Sequence, residues 1–75
     1  MELRVRIEKD ITKFYDNIAK ISAIKESKEV EIVELSKMYA SDAKSYLTKG
    51  ELDTAFSCIS YAHGLLDAVL KLNEK

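Results

Sequence analysis

The residues able to do chemistry are few and gathered in one stretch, Ser60 to Ala68. It holds the chain's one histidine, His63, with Ser60 three positions before it and Asp67 four positions after. On an α-helix those spacings put all three on one face, where a carboxylate can hold an imidazole and an imidazole can approach a hydroxyl. The types are those of a nucleophile, a base and an orienting acid. The geometry opposes that use, because a regular helix offers no strained elbow to expose the serine and no free backbone N–H groups for an oxyanion. No catalytic residue is assigned, and the chain is read as a non-enzyme. Asp42, Ser57, Ser60, Tyr61, His63 and Asp67 form a candidate polar cluster. In its structural reading Asp67 fixes His63 at the edge of the core, and Asp42 bonds Ser57 or the Tyr61 hydroxyl. The alternative is a small-ligand site around His63 and Asp67.

Other chemistries have less to stand on. One histidine, one cysteine and scattered carboxylates make no repeated ligand spacing, so no metal and no cofactor are expected. Cys58 stands in an apolar row with no cation near it in sequence, which is the setting of a small buried hydrophobe rather than of a thiolate. The two glycines, Gly50 and Gly64, are isolated and cannot form a phosphate-binding loop. A net charge of -1 supplies no global field toward nucleic acid or an anionic membrane. A local exception is a basic line of Arg6, Lys9, Lys13 and Lys20 on the first helix, broken by Glu2, Asp10 and Asp16. It carries an alternative reading as a nucleic-acid-binding accessory. The alternating amino terminus lacks the apolar run of a signal peptide, and no stretch reaches the length of a membrane span; a cytoplasmic protein is expected.

Three elements must position these residues. Leu3, Ile7, Ile11, Phe14, Ile18 and Ile21 recur at steps of three and four, the narrow stripe of an amphipathic helix over about residues 2–23. Lys25 to Lys28 interrupts the pattern, with Ser27 placed to cap a second helix over about residues 28–48. Its expected stripe is Ile32, Leu35, Tyr39, Ala43 and Tyr46, widened by Val33, Ser36, Ala40 and Leu47. Gly50 terminates that helix, because a left-handed residue closes a helical C-terminus and glycine adopts it without a Cβ clash. A third helix over about residues 51–73 has two apolar seams. Leu52, Ala55, Ile59, Ala62, Leu66 and Val69 form one, and Cys58, Tyr61, Leu65, Ala68 and Leu72 the other. With Phe56 and Leu70 added, the apolar arc spans roughly two-thirds of the circumference, wide enough for both other helices and some surplus.

The expected fold is all-α, an antiparallel up-down-up three-helix bundle in a single domain over residues 1–75, with the third helix central. A turn at residues 49 and 50 pairs positions whose numbers sum to about 99, so Asp42 is expected opposite Ser57, Tyr39 opposite Ser60, Met38 opposite Tyr61 and Ser36 opposite His63. A glycine inside a helix is unfavourable, so Gly64 is expected to serve close packing against a neighbouring helix or a second copy. The surplus of the apolar arc, with Phe56, Tyr61, Leu65, Leu70 and Leu72 as candidate contacts, implies a homodimer or an unidentified protein partner.

The run from Ser41 to Ala68 also carries a resemblance. Asp42-Ala43, the turn Lys49-Gly50-Glu51 and the segment Tyr61-Ala62-His63-Gly64-Leu65-Leu66-Asp67-Ala68 closely resemble the archaeal family catalogued as domain of unknown function 357. The likeness covers the last half of the chain; the first helix carries no motif of that family. It implies a three-helix bundle of archaeal origin and no assigned activity.

Overall fold

In the computed structural model, residues 2–21 and 27–72 are described. Three α-helices succeed one another, α1 Leu3–Ala19, α2 Ser27–Thr48 and α3 Leu52–Leu72. No strand occurs among the described residues. The all-α three-helix bundle expected from periodicity is what forms. α1 stops earlier than expected: Lys20 and Ile21 lie outside the helix, with their N–H groups bonded to the Asn17 and Ile18 carbonyls in a tightened last turn. Residues 22 and 23, the rest of the expected last turn, lie outside the described residues. The side chain of Ser27, the expected cap of α2, likewise lies outside what is described.

The α2–α3 turn is built around Gly50, whose φ is +81°. Gly50 donates its N–H to the Leu47 carbonyl and Glu51 donates to the Tyr46 carbonyl, the paired bonds that close a helix through a left-handed residue. Glu51 then starts α3, its carbonyl accepting the Ala55 N–H. The chain reverses within three residues, 49–51, so α2 and α3 pack antiparallel and form the most extensive helix pair among the described residues. Small residues allow the close approach. Ser36, Ala40 and Ala43 of α2 and Ala55 and Ala62 of α3 are all fully buried. Ser36, the one buried polar side chain among the described residues, donates its hydroxyl to the Val33 carbonyl at 2.6 Å and so is not left unpaired.

That close approach corrects the stripe expected on α2. The buried positions are Val33, Ser36, Ala40 and Ala43, while Ile32, Tyr39 and Tyr46 are half-buried and Leu35 is exposed. The helix is rotated so that its small residues, rather than its bulkiest, face α3, since that maximises contact between the two backbones. Of the seams on α3, the first is core: Ala55, Ile59, Ala62, Leu66 and Val69 are buried, with Leu52 partly so. The second is only half covered.

α1 lies chiefly on α3 and lightly on α2. Ile7, Ile11 and Phe14 are its buried anchors. At one end Arg4 Nη1 donates to the Leu47 carbonyl at 3.3 Å, placing a cation at the negative C-terminal end of the α2 dipole. The hairpin therefore has two sides, one covered by α1 and one facing solvent.

Candidate functional site

α3 places His63 on its α1-facing side, in a row with Phe56 and Leu70 at seven-residue intervals. Its Nε2 lies 2.7 Å from the Asp10 carbonyl oxygen. A carbonyl can only accept, so Nε2 carries the proton and donates, which fixes the ring's tautomer. The imidazole also stands edge-on to Phe14, with centroids 5.7 Å apart and planes at 86°. Phe14 is fully buried and meets Tyr15 in a second edge contact at 5.3 Å. His63 is thus a bolt between α3 and the middle of α1.

This arrangement corrects the expected His63–Asp67 pairing. Asp67 is exposed and makes no hydrogen bond to His63, because the imidazole turns across to the neighbouring helix instead of along its own. Ser60 is exposed, and no hydrogen bond joins it to His63 among the described residues. The Ser60, His63, Asp67 row therefore has no working connection, and the ring nitrogen that carries its proton is occupied by a structural acceptor.

The remaining members of the polar cluster also separate. Asp42 is exposed and bonds neither Ser57 nor the Tyr61 hydroxyl, contrary to expectation. Tyr39 stacks edge-on with Tyr61 at 4.6 Å, so the register between α2 and α3 is one residue further along than the turn-based pairing. In this register Asp42 comes near Cys58. Burial, and then the Asp42 carboxylate, push the Cys58 thiol above its ordinary pKa, which is the environment of an unreactive thiol. Among the described residues no group of three or more histidine, cysteine or acidic side chains could hold a metal ion, and no helix is long and apolar enough to cross a membrane.

Gly64 is exposed, and a Cβ built on it would meet nothing within 4 Å. The close packing expected of it does not occur within this chain, since the glycine sits on the side of α3 turned away from both other helices. Ser57 and Ser60 share that exposed side.

The expected interface residues divide by side. Phe56 and Leu70 are half-buried against the core, and the Arg6 guanidinium lies 5.0 Å over the Phe56 ring. Tyr61 and Leu72 are exposed and Leu65 is half-buried. Two residues not anticipated join them from α2, Met38 and Leu35. The fractions exposed are 62% for Met38, 52% for Tyr61, 69% for Leu72 and 38% for Leu35. Met38 had a signal in the sequence, an apolar side chain standing off its helix's apolar stripe; Leu35 had none, because periodicity placed it inside that stripe.

The basic line on α1 is partly committed to the fold. Arg6 Nε lies 3.9 Å from Asp10 Oδ2 as well as over Phe56. Lys9, Lys13 and Lys20 are exposed.

No curated protein matches the chain. Residues 9–73 match the profile of one protein family, a span that begins inside α1 and runs past the end of α3. It covers the whole hairpin, the Gly50 turn and the His63 bolt. The chain belongs to the family described as protein of unknown function DUF357.

Proposed function

We propose that the protein is an interaction module whose docking surface is the open side of the α2–α3 hairpin. The observation that carries this reading is the exposure of Leu35, Met38, Tyr61 and Leu72 on the side away from α1. Fully burying such a side chain contributes about 1.5–3 kcal/mol, so covering the half that is exposed contributes about 1 kcal/mol for each. Four such residues support a reversible contact against the several kcal/mol that association costs.

The contrast with the other aromatic residues sharpens the reading. Lys44 Nζ lies 4.3 Å over Tyr15, Lys49 Nζ 5.4 Å over Tyr46, and Arg6 covers Phe56. A cation over an aromatic face hides apolar surface beneath a hydrated head group. Tyr39 and Tyr61 have no such cover among the described residues; their contact is with each other. Their side of the hairpin is therefore the one suited to a partner.

A photo-activated crosslinker at Met38, expressed in the native host, tests this. A discrete protein adduct that is lost on Tyr61→Lys, and is absent with the crosslinker at exposed Thr12, is the expected result. Equal labelling from positions 38 and 12, or none from 38, would refute it. A nucleic-acid role through α1 finds less support, since Arg6 is held by Asp10 and Phe56.

A further inference from the structure

We draw no further inference here: the strongest candidate, the open apolar side of the α2–α3 hairpin around Leu35, Met38, Tyr61 and Leu72, belongs to the surface already described, and nothing in the structure shows what covers it.

Discussion

Replacing His63 with alanine tests whether this residue holds the fold together. Two contacts disappear in the variant, the 2.7 Å hydrogen bond to the Asp10 carbonyl and the edge contact with Phe14 at 5.7 Å. A hydrogen bond contributes about 0.5–1.5 kcal/mol net, and an edge-to-face aromatic contact about 0.5–1.5 kcal/mol beyond the area it covers. The Asp10 carbonyl lies inside α1, where it also serves the helical ladder, so losing His63 does not orphan it and the low end of the first range applies. The expected loss is about 1–2.5 kcal/mol. A domain of 75 residues has about 4–11 kcal/mol in all, so the variant should still fold but show a clear shift in its unfolding midpoint. His63→Gln keeps a donor and loses the ring, and should fall between alanine and wild type. The assay is urea denaturation followed by far-ultraviolet circular dichroism, at concentrations low enough that association adds nothing. Hydrogen exchange at the amides of α1 should quicken in parallel, since the bolt joins α1 to the hairpin. A His63→Ala variant within 0.5 kcal/mol of wild type, with α1 exchange unchanged, would refute the reasoning.

The two glycines should respond to alanine with opposite signs. Gly50→Ala forces a Cβ into a left-handed turn at φ +81° and should destabilise by about 1–2 kcal/mol. Gly64→Ala, with open space around it, should stabilise the monomer by about 0.5–1 kcal/mol, both read from urea midpoints. Cys58 should alkylate more slowly in the native protein than in the urea-unfolded chain at mildly alkaline pH, because burial and then Asp42 hold its thiol protonated. Asp42→Asn should speed the native reaction. The sign for stability follows: the raised folded pKa makes a contribution that is full below the unfolded thiol's value and is lost as pH rises through the folded one. Comparing wild type with Cys58→Ala across that alkaline window isolates it from the tyrosines and lysines.

Much of the fold was legible because helical periodicity is a local property. The α1 stripe of Ile7, Ile11 and Phe14, the Gly50 terminator and the first seam of α3 each follow from spacing within a single element. Rotation of one helix against another is not local. Periodicity centres the α2 stripe on its larger residues; of these the chain buries only Ala43, and it adds Val33, Ser36 and Ala40 from the stripe's flank, because interhelical distance is set by how closely two backbones can come. The register slipped by one residue for a related reason: the exact geometry of the Gly50 turn decides it, and spacing alone does not.

The polar cluster shows the boundary most clearly. Residue types and i, i+3, i+4 spacing brought Ser60, His63 and Asp67 together on one helix, and sequence can say no more than that they share a face. Which way the imidazole turns depends on what α1 presents across the gap, namely the Asp10 carbonyl and the Phe14 ring, both some fifty positions away in the chain. Likewise, the surplus of apolar arc on α3 was evident from composition, but which part remained uncovered depended on where α1 came to rest. It covered Phe56 and Leu70 and left Tyr61 and Leu72, to which Leu35 and Met38 were added from α2. Periodicity within each helix thus settles that the chain makes three amphipathic helices and a hairpin. Only the packing of those helices turns His63 into a bolt and one side of the hairpin into an open face, because both depend on contacts between residues distant in sequence.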